Sequence, residues 1–244
     1  MKIDFHCHSY HSKDGISSPE KLIKNALKRG LDGLALTDHD TAGGWKKAKE
    51  TAEKLKAILV LGQEIKIKKG KKTVGEILGY FLKEEIRPKG KTIEEIIREI
   101  KKQGGIAIIA HPYHWRKPFK ELEKYKNLVD GVEVYNSRSQ SKKGNRKTLD
   151  FAQKNNLSMV AGSDAHSCFE VGNAYLEAEA ESIDEFKEII LQKKILPVKE
   201  YEASDNFRVT ELSNGVKIFG KQSPIFAQFS AGLGKLMNLF RQPK

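Results

Sequence analysis

Leu31-Asp32-Gly33-Leu34-Ala35-Leu36-Thr37-Asp38-His39-Asp40 decides how this chain is read. Its first part is a nearly continuous apolar run, the pattern of a strand covered on both faces. Its end is polar and sets carboxylates beside an imidazole. Helical patterns flank it on both sides. Ser18-Pro19-Glu20 opens one helix, with Ser at the cap and Pro at the first helical position. Leu22, Ile23, Ala26 and Leu27 give that helix its apolar stripe, and Gly30 ends it. A second helix is expected from about Thr41 to Leu55.

The same unit recurs along the chain. Ala57 to Leu61 is an apolar strand that ends at Gly62-Gln63-Glu64, and a Lys-rich hairpin around Lys68 to Lys72 leads into a strand pair reaching Leu82. Thr92 starts a helix with Glu95 three residues on, a capping box. Gly105 to Ala110 ends at His111-Pro112, Val129 to Tyr135 carries Glu133 and ends at Asn136, and Leu157 to Gly162 ends at Ser163-Asp164-Ala165-His166. Helices are expected over Lys117–Tyr125, Ser139–Asn155 and Ser182–Lys194, and a strand over Asn173–Ala178. Strand and helix alternate about seven times, which argues for an α/β protein with a parallel sheet closed into a barrel. The length of 244 residues suits one such domain.

The first strand is Asp4-Phe5-His6-Cys7-His8. Alternate side chains of a strand share a face, so His6 and His8 point together and Cys7 points away. Two such imidazoles can grip one metal ion. The remaining ligand-capable residues follow strand ends: Asp14, Asp38, His39, Glu64, His111, Glu133, Asp164 and His166. In a parallel barrel these ends converge on one rim, where active sites sit. Five of the seven histidines belong to the set, and His11 and His114 are expected to be ordinary loop residues. Imidazole plus carboxylate suits zinc, manganese or iron without selecting one. So many ligands exceed what one ion takes, so two or three ions sharing a bridging carboxylate is the economical arrangement. Two close ions can activate water and stabilise both oxygens of a phosphoester displacement.

Composition narrows the setting. A hydrophobic fraction of 39% and a charged fraction of 31% describe a globular chain with a charged surface. No apolar run approaches the ~20 residues of a membrane span. The N-terminus has no signal-peptide pattern, and Cys7 and Cys168 form no Cys-x-x-Cys pair, so a cytoplasmic setting with reduced thiols is expected. A net charge of +12 invites a polyanionic substrate, weighed against Lys- and Glu-rich helix faces that neutralise each other.

Taken in order, His6-x-His8, Ser12-x-Asp14-Gly15, Thr37-Asp38-His39-Asp40, Glu64, His111-Pro112, Glu133-x-x-Asn136 and Ser163-Asp164-Ala165-His166 resemble the polymerase-and-histidinol-phosphatase (PHP) family over about residues 1 to 200. The resemblance implies a distorted (β/α)7 barrel with a two- or three-metal phosphoesterase site. It implies His6, His8, Glu64 and Asp164 around a first ion. Glu64 would bridge to a second ion held by His111, with Glu133 an addition, and Asp14, His39 and His166 would hold a third. Where many small members carry a histidine after the bridging Glu, this chain has Glu76, expected to be a solvated strand residue. Arg138, following Asn136, is the first choice for gripping phosphate, with Arg116 second; His39 and His166 join Arg138 as the expected catalytic group. Small members of the family include nucleoside bisphosphate phosphatases and exonucleases, and the basic charge favours a phosphorylated small molecule or short nucleic acid as substrate. Histidinol phosphate is the alternative substrate, and a metal-stabilised accessory module without activity is the alternative class.

Residues 201–244 read as a small extension. Ser213-Asn214-Gly215 marks a hairpin turn, and Ser223-Pro224 starts a helix with Phe226, Phe229, Leu233, Leu236, Met237 and Phe240 on one face. Packing on the barrel, or a homo-oligomer through this helix, is expected ahead of membrane attachment.

Overall fold

A computed structural model describes residues 1–114, 117–139 and 141–192, and the backbone of 198–200. The C-terminal hairpin and helix, and Arg116, lie outside the described residues. The strands are β1 (Lys2–Cys7), β2 (Gly33–Leu36), β3 (Ile58–Lys69), β4 (Lys72–Tyr80), β5 (Ile106–Ile109), β6 (Gly131–Asn136), β7 (Ser158–Gly162), β8 (Ala174–Glu177) and β9 (Val198–Glu200). The helices are α1 (Pro19–Lys28), α2 (Trp45–Leu55), α3 (Ile93–Lys102), α4 (Leu122–Tyr125), α5 (Lys142–Lys154) and α6 (Ile183–Leu191). Caps start several of them as the sequence demands. The Ser18 hydroxyl accepts from the Lys21 N–H, and Thr92 and Glu95 form the full capping box.

The sheet runs β7-β6-β5-β4-β3-β2-β1-β8-β9 and curls until its ends nearly meet. The seam is made just past β7. There the Ala165 N–H donates to the His6 carbonyl at 3.1 Å, and the His8 N–H donates to the Ala165 carbonyl at 2.7 Å. Gly162 makes this approach feasible, since a Cβ there would lie 2.3 Å from the His6 Cβ and 2.6 Å from its nitrogen. The α/β barrel is therefore the expected one, with departures from regular alternation at β3–β4 and at β7–β8, where strand follows strand directly. No helix separates β3 from β4; they form an antiparallel hairpin, and β4 is antiparallel to β5 as well. β3 is longer than its apolar run because it changes partner midway. Ile58–Leu61 pair in parallel with β2, and residues from Gly62 to Lys69 pair with β4.

Two cores follow from this closure. Ile3, Phe5, Val60, Leu78, Tyr80, Ile108 and Val160 fill the barrel, while Leu22, Ile23, Leu34, Ile65, Ile77, Ile97 and Val132 pack between barrel and helices. Phe5 and Cys7 are two residues apart yet lie in different cores, because the pairing of β1 with β2 shifts register between Asp4 and Cys7. Helix α6 lies within the span Ser182–Lys194 expected to be helical, and does not join the others along the barrel wall. It instead closes the end of the barrel opposite the strand C-termini, where Phe186 stacks on Phe5 with ring centroids 5.7 Å apart and the Ser158 hydroxyl donates to the Ile190 carbonyl. Among the described residues no helix is long and apolar enough to cross a membrane, and both cysteines are free thiols.

Candidate metal centre at the barrel mouth

The β1 strand delivers His6 and His8 to the same side, ring centroids 5.0 Å apart. Glu64 comes from the point where β3 changes partner, so it is mid-strand rather than at a strand end. Asp164 arrives on the turn after β7 with a φ of 55°, a left-handed conformation that Asp tolerates better than most residues. These four side chains enclose one point. His6 Nε2 is 3.4 Å from Glu64 Oε2 and 3.6 Å from Asp164 Oδ1, and His8 Nε2 is 3.3 Å from each of the same two oxygens. All four side chains are at most 4% exposed.

Two further groups adjoin the first. Glu64 Oε1 lies 2.9 Å from His111 Nε2, and Glu64 Oε2 lies 2.9 Å from His39 Nδ1. Asp14 faces His39 Nε2 at 3.7 Å and His166 Nε2 at 3.8 Å, and at 26% side-chain exposure it is the outermost of the set. Glu64 thus touches both flanks of the cluster.

Several of these atoms lack hydrogen-bond partners although they are buried: His6 Nε2, His8 Nε2, His39 Nδ1 and Glu64 Oε2. Buried polar atoms are normally satisfied. Here the unpartnered ones converge, at separations that leave room for an intervening cation. The donor set is imidazole and carboxylate, and four subsets of three bring one ligand atom each within 4.8 Å of one another: His8-His39-His166, His6-His111-Asp164, His6-His8-Glu64 and His39-Glu64-Glu76. The residues present fit divalent ions.

Electrostatics agree with this. Burial alone would push the imidazoles down, but Asp164 and Glu64 outweigh it and hold His8 up at about 9. Glu64, helped by Glu133 and Glu76, likewise holds His111 up at about 9 against burial. Glu133, Asp164 and Glu64 raise His6 well above its ordinary value despite its burial. Burial favours neutral carboxyls, yet the surrounding imidazoles hold Glu64 and Asp164 well below the usual carboxylate range. His166 goes the other way, pushed down by burial and then by the Arg138 and His8 charges. Without ions, protons balance the cluster.

The structure separates the expected ligands by their surroundings. Glu133 has both oxygens engaged by protein: Oε1 meets His6 Nδ1 at 2.8 Å, and Oε2 accepts from the His111 backbone N–H at 2.9 Å and the Asn136 amide at 3.1 Å. Both oxygens of this expected ligand thus bear on His6 and His111. Glu76, expected to be solvated, is 3% exposed. It lies two residues from Leu78 on the face that carries Glu64 across the hairpin, with Oε2 3.7 Å from His111 Nε2 and Oε1 3.7 Å from Lys117 Nζ. Arg138 stands at the rim with Nη1 3.1 Å from Glu170 Oε1. His114 is not an isolated loop residue. Its ring centroid is 5.1 Å from that of His111, and burial and then the His111 charge push it down to about 4. His11 contacts the Tyr10 ring.

The supporting roles of several residues were not legible in the sequence. Asp38 accepts from the N–H and hydroxyl of both Ser9 and Ser12, which pins the loop after β1. The Ser12 hydroxyl also accepts from the His39 N–H at 2.9 Å and meets His8 Nδ1 at 3.2 Å, so one side chain sets two imidazoles. Ser139 donates to Asp164 Oδ2, leaving Oδ1 for the cluster. The only signal was their adjacency to the ligand motifs.

Comparison with known proteins places the chain. The PHP domain model matches residues 4–201. Two uncharacterised proteins of Methanocaldococcus jannaschii are similar: one is 39% identical over 56% of this chain and 82% of its own length, the other 33% identical over 72% and 70%. A 5'-3' exoribonuclease of Haemophilus influenzae is 44% identical over 64 residues, 26% of this chain and 23% of its own. Among solved structures, a two-domain protein of Bacteroides vulgatus containing a predicted PHP-like metal-dependent phosphoesterase superposes with a TM-score of 0.69 at 22% identity, covering 87% of this chain and 69% of that one. With a family match across most of its length and the family's barrel beneath it, this chain belongs to the PHP domain family.

Proposed function

We propose that the protein is a metal-dependent phosphoesterase that hydrolyses a phosphate ester of a nucleotide or short oligonucleotide at the barrel mouth. One observation carries this reading: buried ligand atoms of His6, His8, His39 and Glu64, four in all and none with a hydrogen-bond partner, face one another where the strand ends converge. The family and the short exoribonuclease match support the reaction class and the substrate class.

Two or three divalent ions, held by His6, His8, Asp14, His39, Glu64, His111, Asp164 and His166, supply Lewis acidity and a lowered water pKa when bound. The chain's own residues do the rest. Glu133 takes the His6 Nδ1 proton in a hydrogen bond, which turns the Nε2 lone pair to the cluster. Ser12 fixes His8 and His39. Arg138, steadied by Glu170, presents a guanidinium beside His166 where phosphoryl oxygens would lie. Asp14, His39 and His166 are the outermost group and so meet the ester first.

The test is a metal analysis of purified protein followed by a manganese-supplemented panel of adenosine 3',5'-bisphosphate, 5'-phosphorylated oligonucleotides and histidinol phosphate. Two or three ions per chain and turnover of a nucleotide or oligonucleotide, abolished in His8→Ala and Asp164→Ala, is the expected result. Turnover of histidinol phosphate alone would replace the substrate class. Bound ions with no turnover on any ester would identify an accessory module instead.

A further inference from the structure

We infer that the β3–β4 hairpin is a basic arm that holds the backbone of a single-stranded nucleic acid beside the metal centre. In the hairpin, strand follows strand with no helix between them, and it runs outward from Glu64 at the site. Glu64 sits at its base, Lys66 follows two residues further on the same face, and the strand ends at Lys69. At ~3.3 Å per residue, Glu64 to Lys69 spans about 17 Å, enough to follow a bound strand past the nucleotide at the centre.

Its charge is one-signed. Five of the seven residues from Lys66 to Lys72 are lysine, and no Asp or Glu occurs between Lys66 and Gly75. The two acids of the strand pair, Glu64 and Glu76, are both buried in the centre. Some lysines elsewhere are neutralised at close range: Lys91 by Glu99 at 2.7 Å, Lys126 by Glu123 at 2.8 Å, Lys101 by Asp130 at 3.1 Å. Among the described residues no carboxylate lies within ion-pairing distance of Lys66, Lys68, Lys69, Lys71 or Lys72, and the last four are exposed. A hairpin needs only a charge or two to protect its edges from pairing with other chains. A concentration of unpaired lysines joined to a phosphoesterase centre fits a polyanion whose next phosphates lie along the arm.

The inference rests on the phosphoesterase reading for where the strand is cut, but its test does not. Binding of a fluorescein-labelled single-stranded 12-mer would be followed by anisotropy in EDTA, as a function of salt, for three full-length proteins. These are the wild type, the hairpin variant K68A/K69A/K71A/K72A, and a control K24A/K46A/K49A/K54A that removes the same charge from exposed positions of α1 and α2. In the wild type log Kobs falls steeply with log salt. The hairpin variant should bind at least about tenfold more weakly at 0.1 M salt, with a slope shallower by about 2 to 3, at ~0.7 per lost phosphate contact. The control should keep the wild-type slope, and matching melting curves would show that all three fold alike. Equal losses in both variants, or none in the hairpin variant, would overturn the inference. A strand bound through the hairpin but never cut would end the phosphoesterase reading alone. Small esters hydrolysed with no strand bound would end the hairpin inference alone.

Discussion

Glu133 shows how much a single side chain decides at this site. Three donors converge on its two oxygens: His6 Nδ1, the His111 N–H and the Asn136 amide. Glutamine has nearly the same shape but offers one acceptor and one donor, so Glu133→Gln must set an N–H against an N–H at one of these contacts. Whichever contact fails, either His6 or the backbone at His111 loses its orientation. The expected result is a folded protein whose manganese affinity, measured by calorimetry, falls about 10- to 100-fold, the usual cost of losing a partner behind a metal ligand. Ser12→Ala should act similarly through His8 and His39, with a smaller effect because their other contacts remain. Unchanged affinity in both would mean that the imidazoles are set by packing alone.

Helix α6 and Gly162 carry the barrel in different ways. Phe186 is fully buried in the inner core against Phe5. Phe186→Ala should cost ~3–5 kcal/mol, read as a lower urea midpoint, since the closed end of a barrel has little freedom to collapse into the gap. Gly162→Val should instead open the seam, because its side chain would occupy the space of His6; loss of bound metal should exceed the loss of helix signal in circular dichroism. These features also mark what the sequence could reveal. Apolar runs at residues 31–36, 105–110 and 157–162 were legible as buried strands, since a strand covered on both faces has no polar alternation to hide it. The partner change within β3 was not, because residues 62–69 alternate much as any strand would and direction leaves no periodic trace. The same blindness misplaced Glu76. Its neighbours read as an ordinary hairpin strand, and only the register opposite Lys66, two steps from Leu78, puts its carboxylate in the centre. Ligands in short motifs were visible, while the way Asp38 and Ser12 support them, through partners across the fold, leaves no trace in the spacing.

The whole barrel closes on a set of charges, so its stability depends on what balances them. In the metal-free protein that balance is protons on His8 and His111, both held up at about 9 against burial that would lower them, His8 by Asp164 and Glu64 and His111 by Glu64, Glu133 and Glu76. An unfolded chain would return each imidazole to about 6.5. A group whose folded pKa is raised contributes stability that is fully present below the unfolded value and is lost as pH rises through the folded one. The metal-free protein should therefore lose thermal stability between about pH 6.5 and 9. With ions bound, the imidazoles are neutral ligands, and their charge no longer follows pH across that range. Melting temperatures of EDTA-treated and manganese-saturated protein should diverge steadily from pH 6.5 to 9. At pH 7, calorimetric titration in two buffers of different ionisation enthalpy should show metal uptake releasing about two protons per chain, from His8 and His111, with His6 able to add a third. A gap that narrows with rising pH would contradict this, because it would mean that the cluster is held together by something other than the exchange of protons for ions.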